Sequence, residues 1–128
     1  MSKFEELQKI ATSISKKAYA PYSQFYVGAA LLGENGEIFS GCNIENASYS
    51  LTCCAERVTI FNAVSSGITK FNMFVITSNT EKPISPCGAC RQVMSEFFDN
   101  NVKIILTNQQ GSKKEVNIKD LLPYSFNL

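Results

Sequence analysis

The sequence predicts an α/β domain in which a mixed sheet of five strands is layered with helices. Two observations predict it. Apolar runs of strand length (YVGAALL, FNMFVITS, VKIILTN) alternate with longer stretches of helical period. The pair Asn35-Gly36 between the first two strand candidates is a strong hairpin signal. With 128 residues, 45% hydrophobic and 18% charged, the chain makes one domain over 1–128, large enough to bury a real core.

The elements follow in order. Ser2-Lys3-Phe4-Glu5 has the form of a capping box, and Phe4, Leu7, Ala11, Ile14 and Ala18 recur at helical spacing until Pro21 ends the helix. Residues 26–32 and 37–42 read as hairpin strands, and Gly28 inside the first marks a bulge or a close backbone approach. A second helix is predicted from about Cys53 to Ser66, with Gly67 as its left-handed stop. FNMFVITS reads as a buried strand. Ser85-Pro86 has the form of an N-cap followed by proline at the first helical position, so a third helix covers 86–98. VKIILTN is another buried strand, followed by an NQQG turn, a short strand near 114–117 and a last helical turn over 118–122. Helix-linked strands normally run parallel. The second and third helices therefore lie side by side and begin at the same end of the sheet.

Composition narrows the function. A net charge of +1 gives no footprint for nucleic acid or an anionic membrane, and Lys16-Lys17 and Lys113-Lys114 are too short to be basic tracts. No apolar run approaches membrane-spanning length, and MSKFEELQK lacks the apolar stretch of a signal peptide, so the expected location is cytoplasmic. In that reducing compartment an odd count of five cysteines favours metal binding or buried thiols over disulfides. There is no histidine, which removes Ser-His and Cys-His catalysis and every histidine-containing metal site. A general acid or base at neutral pH must then be a carboxylate, Lys, Tyr or Cys.

Cys87-Gly88-Ala89-Cys90 puts two thiols on one face of a first helical turn. Alone, the pair reads equally as a redox motif, half of a structural zinc site, or chance. A third cysteine at the start of the neighbouring helix leaves one of zinc's four positions open, the pattern of a catalytic site. Adjacent residues on a helix diverge by about 100°. Cys53 and Cys54 therefore do not converge on one ion, and Cys53 reads as a helix-edge residue. Cys42 reads as a small buried hydrophobe. Glu56 is either the proton carrier of such a site or a first-turn glutamate favoured by the helix dipole. The only two arginines, Arg57 and Arg91, flank the cysteines. Either can draw charge from thiolates by hydrogen bonds to sulfur, and for Arg91 an exposed or interface salt bridge is an equal alternative.

Cys54-Ala55-Glu56 followed by Pro86-Cys87-Gly88-Ala89-Cys90 resembles the three-cysteine signature of the zinc-dependent cytidine deaminases. The similarity runs over nearly the whole chain, through AYAPYSQF, VGAALL, GCNIENASYS, CAER, SPCGACRQV and DLLPYSF, and is to the small homotetrameric type. The resemblance implies a three-layer α-β-α cytidine deaminase-like fold. It implies one Zn2+ per chain held by Cys54, Cys87 and Cys90, with Glu56 catalytic and Arg57 hydrogen-bonded to sulfur. The implied reaction is hydrolytic deamination of cytidine and 2′-deoxycytidine to the uridine nucleosides, with release of ammonia, in pyrimidine salvage.

The resemblance also implies a set of nucleoside contacts. Asn43 and Glu45, at i and i+2 on one strand face, would hold the ribose 3′-hydroxyl; on spacing alone they read as a solvated strand end. Phe25 would pack on the pyrimidine, and Phe126 would come from another subunit. Ala47 and Tyr49 would line the site across the tetramer interface. The Ala55 N–H would meet the cytosine carbonyl, and the Ser85 carbonyl the amino group. Two alternatives stand beside this reading: deamination of another cytosine-bearing molecule such as blasticidin S, or a non-catalytic zinc or redox domain. The NIEN segment favours a nucleoside over the first, and Glu56 with an open ligand position disfavours the second.

Overall fold

The computed structural model describes residues 1–128. At the N-terminus the Ser2 hydroxyl accepts from the Glu5 N–H at 3.1 Å, and the Glu5 carboxylate accepts from the Ser2 N–H at 3.2 Å. The capping box thus forms and starts α1 (Lys3–Ser15). Pro21 is not what ends this helix. Tyr19 is drawn into an extended path beside Ile44, donating to the Asn43 carbonyl at 3.0 Å and accepting from the Glu45 N–H at 2.8 Å, so the helix stops at Ser15. Its buried stripe is Leu7, Ala11 and Ser15, with Ile14 and Ala18 only half-buried.

β1 (Val27–Gly33) and β2 (Ile38–Cys42) form the expected antiparallel hairpin. On the other side of β1 lies β3 (Phe71–Ser78), antiparallel to it, so β2 and β3 run in the same direction. β4 (Lys103–Thr107) is parallel to β3, and β5 (Lys113–Val116) closes the edge antiparallel to β4. The order β2-β1-β3-β4-β5 makes one mixed five-stranded sheet.

Alternating side chains sort onto the two faces. Ala30, Leu32, Val75 and Ile105 pack with Leu7 and Ala11 of α1. Ala29, Leu31, Phe74, Ile76, Ile104 and Leu106 pack with α2 (Ala55–Ser65), α3 (Gly88–Phe97) and the short α4 (Ile118–Leu121). The three layers of the expected α-β-α fold are therefore present, and β1 is buried along its whole length.

Two glycines set how closely the helices approach. A Cβ at Gly28 would lie 2.0 Å from the Ala11 carbonyl oxygen and 2.8 Å from the Ser15 nitrogen, so α1 rests directly on the β1 backbone. The pairing through Gly28 is regular, which selects close approach over a bulge. A Cβ at Gly41 would lie 2.8 Å from the side chains of both Val58 and Thr59, so α2 seats on β2 in the same way.

The starts of α2 and α3 differ from expectation, and both differences matter for the site. Cys53 lies outside α2, exchanging two 2.9 Å backbone hydrogen bonds with Ile44, and Cys54 is the N-cap. For α3 the N-cap is Cys87 rather than Ser85. The Ser85 hydroxyl accepts from Arg91, and the chain stays extended through Cys87 at φ −68°, ψ 166° before turning helical. Gly67 takes the left-handed stop at φ 91°, as the sequence indicated. No helix is long and apolar enough to cross a membrane.

Candidate metal centre and active site

Cys54 and Cys87 cap two neighbouring helices, and Cys90 stands in the first turn of α3. Neither sulfur makes a side-chain capping bond to its helix, so both are free to face each other. The Sγ atoms of Cys54 and Cys87 are 3.7 Å apart, those of Cys87 and Cys90 are 3.4 Å apart, and all three lie within 4.8 Å of one another. Tetrahedral Zn–S bonds of about 2.3 Å would hold sulfurs about 3.8 Å apart, so the trio fits zinc. Cys90 is buried, Cys54 half-buried and Cys87 exposed, which leaves one side of the cluster open. All five cysteines are free thiols. Cys53 and Cys42 stand outside the cluster; Cys42, expected to be buried, is half-buried at the strand end.

Electrostatics favour thiolate at Cys54. The Cys54 thiol is pushed down to about 5, chiefly by the neighbouring Cys90 thiol and then by its contacts with Arg57 and Cys87. Cys90 is pushed up by the neighbouring Cys54 and by burial, so Cys54 gives up its proton before Cys90 does. Two helix N-termini direct positive dipole ends at the cluster. Arg57 adds a donor: its Nη2 lies 3.6 Å from the Cys54 sulfur, while its Nε is buried without a hydrogen-bond partner. Hydrogen bonding to Cys54 in turn raises the Arg57 pKa.

Glu56 is only 3% exposed, and burial pushes its carboxyl up to about 7; the charge of Cys54 adds to the rise. Its own N–H and Arg57 pull the other way. An acid titrating near neutrality, two residues from a sulfur ligand, can take and return protons at working pH. Ala55, the first residue of α2, is completely buried. Arg91 makes neither a sulfur contact nor an ion pair: it bonds the Pro86 and Leu121 carbonyls and the Ser85 hydroxyl.

A second group surrounds the segment that carries Phe25. Asn43 is buried, with Oδ1 accepting from the Val27 N–H at 2.9 Å and Nδ2 donating to the Phe25 carbonyl at 2.8 Å. The Glu45 carboxylate accepts from the N–H groups of Tyr22 (3.0 Å) and Ser23 (3.2 Å) and from the Ser23 hydroxyl. Those bonds, the hydroxyl first, hold its carboxyl below the ordinary range. Asn79 grips the same segment from β3's end: its Oδ1 accepts from the Tyr26 N–H at 3.0 Å, and its Nδ2 donates to the Gln24 carbonyl at 3.1 Å. Gln24 sits at φ 58°, a conformation a non-glycine residue keeps only when its neighbours hold it. Nothing near Asn79 in the sequence signals this role, because its partners lie more than fifty positions away.

The remaining residues singled out from the sequence are on the surface. Phe25, Tyr49 and Phe126 are 57%, 77% and 69% exposed, and Ala47 and Ser85 are exposed too. Tyr49 makes an edge contact with Tyr22 at 6.3 Å between ring centroids, and the Phe126 carbonyl accepts from Gln92. A groove of about 820 Å3 runs past Lys82, Ser85, Arg91 and Lys113–Val116, but no cysteine lines it.

Three sulfurs gathered at two helix starts form a cluster able to hold a metal ion, with the buried Glu56 carboxyl two residues from Cys54, a donor set that suits zinc. Residues 1–106 match the model of the cytidine and deoxycytidylate deaminase zinc-binding region, and the chain belongs to that family. A cytidine deaminase of Sporosarcina psychrophila is 48% identical over 122 residues, covering 95% of this chain and 90% of that one. The crystal structure of a cytidine deaminase from Burkholderia pseudomallei superposes with a TM-score of 0.93 at 45% identity, covering 98% of this chain and 100% of that chain. A blasticidin-S deaminase of Bacillus cereus is more distant, at 30% identity over 94% of this chain and 90% of its own length.

Proposed function

We propose that the protein hydrolyses cytidine and 2′-deoxycytidine to uridine and 2′-deoxyuridine, releasing ammonia. The observation that carries this reading is the buried Glu56 carboxyl beside the Cys54–Cys87–Cys90 cluster. Zinc held by the three sulfurs would supply Lewis acidity that lets water act as a nucleophile near neutral pH. The chain's own groups supply the rest. Glu56 takes a proton from the attacking water and delivers it to ring N3, and a second transfer goes to the amino nitrogen. A C4–O bond forms, the C4–N bond breaks, and ammonia leaves with the proton that makes it a good leaving group. The positive end of α2 at Ala55 suits the cytosine carbonyl, and the Ser85 carbonyl suits the amino group. Arg57 draws charge from sulfur and so limits how far three thiolates blunt the ion's acidity.

Phe25, Asn43 and Glu45 are the proposed nucleoside contacts, with Ala47, Tyr49 and Phe126 completing the site from neighbouring chains. Asn43 keeps one amide hydrogen and Glu45 keeps lone pairs beyond their bonds to the 22–27 segment, enough to accommodate a ribose hydroxyl. A homotetramer with sites at its interfaces accounts for the exposure of Phe25, Tyr49, Leu51 and Phe126. The proposed setting is pyrimidine salvage in the cytoplasm. A nucleoside is favoured over blasticidin S by Asn43 and Glu45 together with the much closer similarity to cytidine deaminases.

The test combines metal content with ultraviolet absorbance. Purified protein should carry one zinc per chain and bleach the cytosine band of cytidine and deoxycytidine. Zinc-loaded protein that leaves both nucleosides untouched and bleaches blasticidin S would establish the alternative substrate.

A further inference from the structure

The stretch leading into Cys87 has little of its own to hold it. Residues 83–86 make no backbone hydrogen bond, and every hydrogen bond that reaches them comes from one side chain, that of Arg91. Its Nε donates to the Pro86 carbonyl at 2.8 Å and its Nη2 to the Ser85 hydroxyl at 2.7 Å. Its Nη1 donates to the Leu121 carbonyl at 2.6 Å, one of the carbonyls left open at the end of α4. Its backbone N–H closes the first turn of α3 on the Cys87 carbonyl at 3.0 Å. No carboxylate pairs with the guanidinium. The role is therefore geometric: a planar fork with divergent donors spans three acceptors on two segments.

We propose that Arg91 is a positioning residue that fixes Cys87, the most exposed of the three sulfurs, against Cys90 by pinning the Ser85–Pro86 approach to α4. This rests on reading the cysteine trio as a zinc site. Cys90 needs no such help, because it is buried within α3. Cys87 sits at a helix cap with no side-chain capping bond, and its backbone direction follows from where Pro86 is held. The neighbouring Gln92 extends the same link by bonding the Phe126 carbonyl at 3.1 Å, so the N-terminal half of α3 holds both the cysteine approach and the C-terminal tail.

The test is zinc release from the purified holoprotein to a chromogenic chelator well below the unfolding temperature, with the sulfur-to-metal absorption band of cobalt-substituted protein as a second readout. Arg91→Gln should release zinc about tenfold faster or more and alter the cobalt band, with the far-ultraviolet circular dichroism unchanged. Arg91→Lys should recover little of this, since one ammonium cannot span the three acceptors. Ser85→Ala, which removes one acceptor and leaves the main chain intact, should release zinc about threefold faster. Wild-type release and an unaltered band in Arg91→Gln would overturn the proposal, as would full recovery by Arg91→Lys. If Arg91→Gln fails to fold, wild-type release in Ser85→Ala would overturn it alone. A wild-type chain that takes up no zinc would instead overturn the metal-site reading.

Discussion

Glu56 is an acid whose surroundings delay its ionisation, and that delay has a sign. Its folded pKa of about 7 lies above the ordinary 4.5, so the stability tied to the protonated form is complete below 4.5 and lost as pH rises through 7. In metal-stripped protein, calorimetry should therefore show the Tm of Glu56→Gln gaining on wild type as pH rises from about 4.5 to about 7, with no further gain above that. With zinc restored, the same variant should keep its metal and lose nearly all turnover. Glu45 runs the opposite way. Its pKa is lowered, so its hold on Tyr22 and Ser23 is complete above 4.5 and fails as pH falls below that. Amide exchange at Tyr22 and Ser23 should accelerate on acidification more than chemistry alone predicts. The residue types at the metal centre were legible because Cys54, Glu56, Cys87 and Cys90 fall within two short motifs. Asn79 gave no signal, and Arg91 stood out for its place beside the cysteines but not for its bond to the Leu121 carbonyl. These contacts depend on where distant chain ends up in space.

At the scale of elements, legibility tracks locality. The capping box that starts α1 and the glycine that stops α2 are local signals, and both hold in the structure. The starts of α2 and α3 were misread because tertiary partners outbid local propensity: Ile44 pairs with Cys53, and Arg91 occupies the Ser85 hydroxyl. Both shifts move a cysteine from inside a helix to its cap, where sulfur is free to turn outward. How α1 is seated on the sheet gives a direct test. Gly28→Ala puts a methyl into the Ala11 carbonyl and should cost about 3 kcal/mol, read as a drop in the midpoint of urea unfolding. A neutral result would mean that α1 can slide away from β1 at little cost.

Across the whole molecule, strand number and mixed character followed from the pattern of apolar runs, whereas the order β2-β1-β3-β4-β5 depends on long-range pairing that no local signal encodes. The apolar surface left around Phe25, Tyr49, Leu51 and Phe126 is consistent with association. Sedimentation should give four times the 14.1 kDa chain mass, and Phe126→Asp should lower that mass and activity together.

Cys54 and Cys87, one at the start of each of two helices, stand 33 residues apart, with β3 between them. A bridging ion works like a disulfide, shrinking the denatured ensemble and stabilising the protein by roughly 3–4 kcal/mol in chain entropy alone. Stripping the metal should therefore loosen one half of the domain before the other. Hydrogen exchange should report early loss of protection in α2, α3 and the strand they enclose, while the hairpin clasped by α1 keeps its own.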